Sequence, residues 1–188
     1  KHKTTLIVRG GGDLASGVIH RLYKCRYQVL VLECRKPSAI RRNVSFGEAV
    51  FDGVSNVEGV TGRLIKDVSE CQKVWGTDEI PILVDETGEA VKELRPDALI
   101  DAILAKKNLG TNRKMAPLTV ALGPGFEAGI DVDYVIETQR GHRLGRVIEK
   151  GTAEPNTGVP GVIAGYGKER VIHSPAAGII HNRSKIGD

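Results

Sequence analysis

A glycine-rich segment, VRGGGDLASG at Val8–Gly17, has the residue pattern of a ligand-binding loop. It follows an apolar run, precedes a helical pattern, and fits GxGxxA at Gly10, Gly12 and Ala15. In a strand–loop–helix unit the first glycine permits a tight turn, the second lets the backbone approach a diphosphate, and the alanine allows close helix–strand packing. The helix N-terminus then offers N–H donors to an anion. The loop, with Gly11 included, therefore predicts a phosphate or dinucleotide site, with a purely structural turn as the alternative.

A carboxylate stands inside this loop. Asp13 would repel a pyrophosphate unless it turned away or were bridged by a cation. We expect Asp13 to be the N-cap of a helix starting at Leu14, with its side chain accepting a hydrogen bond from the N–H of Ala15 or Ser16. Direct Mg²⁺ binding by Asp13 is the less favoured alternative, and no other residue is assigned to a metal.

Charged residues follow the second predicted strand. Glu33 lies where dinucleotide-binding folds place the acid that binds ribose. Lys36, Arg41 and Arg42 come next, at the carboxyl edge of the predicted sheet, where parallel α/β proteins bind their ligands. Neighbouring arginines can grip phosphate or carboxylate oxygens with fork geometry. The sequence therefore predicts an anion-binding stretch, and a solvated surface loop is an equally open reading.

Two later loops contain glycine and follow the fifth and sixth predicted strands. Gly123 and Gly125 belong to the first of them, and Arg140 and His142 to the second. If the sheet is parallel, both loops lie at the ligand-binding edge and contribute to one crevice. His142 could be a general acid or base, a metal ligand or a phosphate contact; a structural histidine in a turn is as well supported. No GxSxG or HExxH pattern supports hydrolase or metalloprotease chemistry.

The elements that must position these residues alternate between apolar strands and helices, which predicts a Rossmann-like, mostly parallel, doubly wound α/β sheet. The predicted strands are Thr4–Val8, Val29–Leu32, Ile80–Val84, Ala98–Leu104, Leu118–Leu122 and Tyr134–Glu137. The predicted helices are Leu14–Lys24, with Leu14, Val18, Ile19 and Leu22 on its apolar face, and Glu89–Leu94. Val44–Leu64 fits either the start of a helix or turns between short strands.

The amino-acid composition limits the kinds of ligand and partner that the chain is expected to bind. The net charge of +4 favours an anionic ligand, while only 4% aromatic residues argue against nucleic acid, whose bases stack on such side chains. No apolar run is long enough to span a membrane and no signal peptide is visible. Three cysteines without a CxxC pair argue against a disulfide framework and for a reducing cytoplasm, with Cys34 read as a small buried hydrophobe.

The amino-acid composition of the chain changes after Gly141, where glycine and proline become frequent. We predict a Rossmann-like domain over residues 1–145 and a small Gly/Pro-rich β module over 146–188. The last stretch, SPAAGIIHNRSKIGD, is similar to the first half of a lipoyl- or biotinyl-type barrel-sandwich, so we expect the module to be incomplete.

Several uncommon blocks occur in a recognisable order: IVRGGGDLASGVIHRL, KPSAIRRNVSFGEAVFDG, DAILAKKN, LGPGFEAG and VIETQRGHRLGRVI. Together they resemble the YqeB family of accessory proteins for selenium-dependent molybdenum hydroxylases, itself similar in outline to the Rossmann-like half of the xanthine dehydrogenase accessory factor XdhC. The resemblance implies a maturation factor that binds a molybdopterin-type cofactor, with the hydroxylase as a partner. It carries no established catalytic residues, so whether the chain catalyses a reaction stays open.

Two other classes of function remain open. The glycine loop would also suit an NAD(P)-dependent oxidoreductase, although no Tyr-x-x-x-Lys pair accompanies it. A non-catalytic scaffold that docks onto the hydroxylase would need no ligand. The oligomeric state is not indicated by the sequence.

Overall fold

The computed structural model describes residues 3–178. The chain divides into two compact units, Lys1–Pro155 and Asn156–Asp188. The strands of the first unit are β1 (Thr5–Arg9), β2 (Gln28–Glu33), β3 (Val54–Val57), β4 (Val60–Ile65), β5 (Ile80–Val84), β6 (Ala98–Asp101), β7 (Leu118–Leu122), β8 (Glu127–Ala128), β9 (Tyr134–Ile136), β10 (Val147–Ile148) and β11 (Gly151–Thr152). Its α-helices are α1 (Asp13–Lys24), α2 (Ala49–Asp52), α3 (Cys71–Gly76) and α4 (Glu89–Leu94).

Nine of the strands form one sheet in the order β10-β9-β7-β6-β1-β2-β5-β4-β3. The seven strands that lie between β3 and β10 in this order are all parallel to their neighbours among themselves. The edge strands β3 and β10 pair with them in antiparallel. The inner order β5-β2-β1-β6-β7-β9 reproduces the 3-2-1-4-5-6 arrangement of dinucleotide-binding sheets. The predicted Rossmann-like, mostly parallel α/β fold is therefore confirmed.

Helices cover both faces of the sheet, which explains why its central strands carry continuous apolar runs. On one face, Val8 of β1 packs in a core with Ala15 and Ile19 of α1 and with the α2 residue Ala49. On the other face, Ile7 packs with residues of α3 and α4. Adjacent residues of one strand point to opposite faces of the sheet, so the neighbouring residues Ile7 and Val8 pack in two separate cores.

Helix α1 differs from its predicted form. It begins at Asp13, and its buried residues are Ala15, Ser16 and Ile19, whereas Leu14 is 53% exposed. The placement of Leu14 on the apolar face was wrong, because the buried face of α1 carries Ala15, Ser16 and Ile19. Leu14 lies about 100° around the helix from Ala15 and points to solvent.

The remaining boundaries follow from local backbone geometry. Strand β6 ends at Asp101 instead of Leu104, which has a φ of +59° that no extended strand accommodates. The ambiguous stretch Val44–Leu64 contains a 3₁₀ turn at Phe46–Glu48, then α2, then the β3–β4 hairpin. Both elements that its pattern allowed are present.

The carboxyl-terminal part is described only to residue 178. Strands β10 and β11, which follow the predicted domain boundary at residue 145, pair with β9 and β8 of the first unit. In the described residues of the second unit, the regular structure is a bridge between Ile163 and Tyr166 and a 3₁₀ turn at Lys168–Arg170. Most of the stretch predicted as barrel-sandwich, residues 179–188, lies outside the described residues. None of the helices in residues 3–178 has the length and apolarity to cross a bilayer.

Candidate functional site

A cavity of about 590 Å³ opens at the carboxyl ends of β1, β2 and β6. Strands β2 and β6 flank β1, and the chain leaves β1 toward β2 but later returns to the other side at β6. This is the switch point of the sheet, where open α/β folds bind ligands. Its walls are the glycine loop, the segment that follows β2 as far as Arg41, and the segment 102–106 that follows β6.

Gly10 and Gly11 are required by packing within the loop. Gly10 has a φ of +94°, and a Cβ atom there would lie 2.8 Å from the carbonyl oxygen of Ala102. The carbonyl oxygen of Gly11 accepts hydrogen bonds from the hydroxyls of Ser16 and Ser45 and from the N–H of Gly47. The first two glycines therefore hold the loop against its neighbours.

Gly12 is different because it faces open space. A Cβ atom at this position would meet nothing within 4 Å, and the residue lines the cavity. Its backbone, at φ −65° and ψ −178°, suits any amino acid. Packing inside the protein therefore gives no reason for a glycine here, whereas access for a ligand does.

The first turn of α1 carries unsatisfied donors. Among residues 3–178, the backbone N–H groups of Gly12, Asp13 and Ala15 have no acceptor, while that of Leu14 bonds the side chain of Asp13 at 2.9 Å. Helix N-termini leave such donors free and carry a partial positive charge. All three residues line the cavity, so the arrangement can bind an anion.

Asp13 is not the N-cap, which corrects the prediction. Gly12 occupies that position without a side-chain bond, and Asp13 is the first helical residue. The carboxylate of Asp13 forms an ion pair with the guanidinium of Arg41, which holds it toward the loop that follows β2. Arg41 thereby offsets the repulsion that Asp13 alone would exert on an anionic ligand.

Glu33 joins the glycine loop to β2. Its two carboxylate oxygens accept the backbone N–H of Gly11 and of Cys34, each at 2.7 Å. Because each oxygen has a second lone pair, Glu33 retains acceptor capacity toward the cavity that it lines. Contact with a ribose stays a prediction.

The two arginines that were predicted to bind the ligand, Arg41 and Arg42, have different surroundings in the structure. Arg41 lines the cavity, whereas the Nε of Arg42 donates to Glu48 at 2.8 Å. The hydrogen bond and charge of Glu48 raise the pKa of the Arg42 guanidinium. Lys36 is exposed and lies outside the cavity lining. The basic stretch thus contributes one of its three predicted cations to the site.

Gly123 and Gly125 stand behind the cavity wall. A Cβ atom at Gly123 would lie 2.6 Å from the hydroxyl oxygen of Thr138, and one at Gly125 would lie 2.6 Å from the backbone nitrogen of Lys107. These glycines support the segment after β6 and do not line the cavity. Arg140 and His142 are at the same sheet edge, on the exposed loop between β9 and β10, and also lie outside the lining.

A buried charged network was missed from the sequence. Arg9, which precedes Gly10, and Asp101, at the end of β6, are each 2% exposed and 3.8 Å apart. The hydroxyl of Thr111 accepts from Arg9 and donates to Asp101, both at 2.6 Å. Burial raises the pKa of Asp101, against the opposing effects of Thr111, the N–H of Ile103 and Arg9. The sequence signal that could have indicated this network is Arg9, an arginine at the end of the otherwise apolar strand β1.

Cys34 and Cys71 have no features of reactive thiols. Cys34 lines the cavity but is half-buried, and burial first and then the charge of Glu33 raise the pKa of its thiol. Burial raises the pKa of Cys71 to about 12. Only thiolates are good nucleophiles or metal ligands. Across residues 3–178, no group of three histidine, cysteine, aspartate or glutamate side chains is placed to hold a metal ion.

Comparison with known proteins supports the YqeB part of the sequence resemblance and does not test its link to molybdenum hydroxylases or to XdhC. The chain is 52% identical over 183 residues, 97% of its length, to a protein of Escherichia coli (strain K12) described as uncharacterized protein YqeB. It spans about a third (34%) of that relative's length. No family model matches the chain, and no solved structure gives a significant match. Kinship with the YqeB family is thus supported along nearly all of this chain, through a relative whose own description assigns no activity.

Proposed function

We propose that the switch-point cavity binds a phosphorylated ligand, and that the chain acts as an accessory or maturation factor for selenium-dependent molybdenum hydroxylases by binding a molybdopterin-type cofactor. The observation that carries the proposal is the set of three free N–H donors, at Gly12, Asp13 and Ala15, in a cavity at the carboxyl end of the central strands. Anions bind at such helix N-termini through these donors and the helix dipole.

The cavity walls fit the rest of such a ligand. Pro37, Ile103 and Leu104 supply apolar surface for a flat heteroaromatic ring, and Ile40, 96% exposed, stands at the mouth. Glu33 can accept hydrogen bonds from ring N–H or ribose hydroxyl groups. When bound, the cofactor would supply the redox chemistry of its molybdenum, and the residues of this chain would bind and orient its organic part.

We propose a role in binding or escort because two side chains that could carry chemistry are poorly suited or poorly placed for it. The Cys34 thiol has a raised pKa, so it is poorly suited to carry sulfur or selenium. His142, the predicted candidate for acid–base catalysis, lies outside the cavity lining. We therefore propose that any reaction on the cofactor requires a partner protein, for which the hydroxylase is the candidate.

Binding of NAD(H) is the second candidate, favoured by a specific observation. The inner strand order and Glu33 at the end of β2 match the arrangement in which a carboxylate binds the ribose hydroxyls of a dinucleotide. A carboxylate at that position also disfavours a 2′-phosphate, so NADH should bind more tightly than NADPH. A docking scaffold without a ligand would leave the open face of Gly12 unexplained.

The test compares two glycine-to-alanine variants of the same helix. Gly12→Ala places a methyl group in the cavity, while Gly17→Ala places it on an exposed face with nothing within 4 Å. Gly12→Ala should leave folding intact, and Gly17→Ala should raise the free energy of unfolding by about 0.5–1 kcal/mol. Each protein is expressed in cells with an intact molybdenum-cofactor pathway, and acid extraction and oxidation then release bound pterin as a fluorescent product.

We expect pterin from the wild type and from Gly17→Ala, and little from Gly12→Ala. Wild-type protein that is folded but repeatedly free of pterin would contradict the molybdenum-cofactor proposal. Calorimetric titration with NADH and NADPH covers the second candidate. Micromolar NADH binding that is lost in Gly12→Ala would assign the cavity to a dinucleotide instead.

A further inference from the structure

We propose that Lys106 is the anion-binding side chain of the switch-point cavity, where it holds the phosphate or diphosphate group of the ligand against the N-terminus of α1. This inference rests on the proposed function, because it concerns the same cavity. The sequence did not single out Lys106, which lies in a pair of adjacent lysines in the segment after β6.

The charges of the cavity point to this residue. Four charged side chains line it: Asp13, Glu33, Arg41 and Lys106. Asp13 and Arg41 form an ion pair, and Glu33 accepts two backbone N–H groups. Within residues 3–178, the ammonium of Lys106 has no hydrogen bond and no ion pair. Lys106, which is exposed, is therefore the one charged side chain of the cavity without a described hydrogen-bond or ion-pair partner, and the sign of its charge matches an anionic ligand.

The backbone holds Lys106 in an unusual conformation. Leu104 and Lys106 have φ angles of +59° and +63°, in the left-handed region that side chains with a Cβ rarely adopt. Neither is a glycine, asparagine or aspartate, the residues that tolerate this region. Local conformational preference therefore does not account for a lysine at this position.

Two glycines from different loops fix this segment from opposite ends. A Cβ atom at Gly10 would lie 2.8–2.9 Å from backbone atoms of Ala102 and Ile103. A Cβ atom at Gly125 would lie 2.6 Å from the backbone nitrogen of Lys107. A side chain at either glycine would displace the segment. This arrangement gives the predicted glycine Gly125 a role: it fixes the wall that presents Lys106, and it need not touch the ligand.

The ligand chemistry follows from the two walls. The N-terminus of α1 offers fixed N–H donors, and Lys106 offers a flexible ammonium with three donors and no acceptor. Both walls therefore require an acceptor that carries negative charge, and a phosphate has enough oxygens to accept from both at once. A neutral sugar or a free base would leave the charge of Lys106 unpaired.

The experiment measures binding of inorganic pyrophosphate by calorimetry to the wild type and three variants. Lys106→Gln removes the charge from the cavity. Lys107→Gln removes the same charge from the neighbouring lysine, which is exposed like Lys106 but does not line the cavity. Lys106→Gly removes the side chain and also relieves the left-handed backbone, so a folding defect cannot explain a loss of binding in that variant.

We expect both Lys106 variants to bind pyrophosphate at least about tenfold more weakly than the wild type, since charge-assisted hydrogen bonds are among the strong ones. Lys107→Gln should stay within about twofold, and Lys106→Gly should have an unchanged or higher Tm. Wild-type binding that Lys106→Gln leaves unchanged would overturn this inference alone. A wild type that does not bind pyrophosphate would overturn the phosphate site of the proposed function as well.

Discussion

The carboxylate of Glu33 accepts the backbone N–H of Gly11 at 2.7 Å, and this bond ties the end of β2 to the loop that follows β1. The second carboxylate oxygen accepts the N–H of Cys34. The side chain predicted to bind ribose thus also fixes the shape of the glycine loop. Structure and ligand binding therefore depend on the same residue, and its substitution should affect both.

We predict that Glu33→Ala lowers the free energy of unfolding by about 2 kcal/mol, because it leaves two part-buried N–H groups without an acceptor. Glu33→Gln keeps one carbonyl oxygen as an acceptor and should cost less. Urea denaturation of the two variants and the wild type measures the difference. Equal stability of all three proteins would mean that the bonds to Gly11 and Cys34 are not formed in solution.

The buried pair of Arg9 and Asp101 gives a second prediction. Asp101→Asn leaves the guanidinium of Arg9 without its counter-charge at 2% exposure, and we expect a loss of about 3 kcal/mol in stability at neutral pH. Replacing Arg9 with methionine in the same protein should recover part of this loss, because no buried charge then remains. If the double variant is as unstable as the sum of the single ones, the two residues act independently.

The two arginines after β2 should behave differently, although the sequence predicted that both would bind the ligand. Arg42→Ala removes the partner of the buried carboxylate of Glu48, so its Tm should fall while ligand affinity stays within about twofold. Arg41→Ala breaks an exposed ion pair that contributes little to stability. It also leaves Asp13 uncompensated beside the anion site, so affinity should fall with little change in Tm. Differential scanning calorimetry and pyrophosphate titration of both variants separate these outcomes, and the reverse assignment would contradict the geometry.

Acid stability should depend on Glu137, which is 3% exposed at the end of β9. Burial alone would raise the pKa of this carboxyl, but hydrogen bonds from the N–H groups of Glu154, Gln139 and Thr138 hold it below the ordinary value of 4.5. The folded protein therefore binds this proton less tightly than the unfolded chain does. The stabilisation is complete well above pH 4.5 and is lost as the pH falls through the lowered pKa.

Glu137→Gln should therefore reduce stability at neutral pH and flatten the acid limb of a plot of Tm against pH. The same plot for Glu149→Gln, in the exposed bend that follows β10, serves as the control and should keep the wild-type slope. Parallel acid limbs for the wild type and Glu137→Gln would contradict the prediction.

The sequence predicts the fold well because its signals are local. Apolar strands such as Ile80–Val84 and the GxGxxA turn specify a parallel sheet and its first crossover through backbone and packing preferences. The cavity residues Gly12, Ala15 and Glu33 belong to that local pattern and were predicted. In contrast, the partners of Arg42 and Asp13 depend on which side chains the folded loops bring together, and spacing along the chain does not encode this.

Residues that act through distant contacts were the ones missed or misplaced. Thr111 lies far along the chain from Arg9, so their hydrogen bond has no signature in either segment. The sequence pattern predicts that Gly125 binds the ligand. In the structure, a glycine is required at this position because a Cβ atom would collide with the backbone of Lys107. Lys106 reads as an ordinary surface lysine until the left-handed backbone and the cavity are seen together.

The most direct measurement is a titration of ¹⁵N-labelled protein with pyrophosphate, followed through the amide resonances. We predict saturable shifts of the Gly12, Asp13 and Ala15 amides, the three donors left free at the N-terminus of α1. The amide of Gly11, already bonded to Glu33, should move less. Shifts confined to the loop of Arg140 and His142, or no saturable shift in the first turn of α1, would show that this cavity is not an anion site.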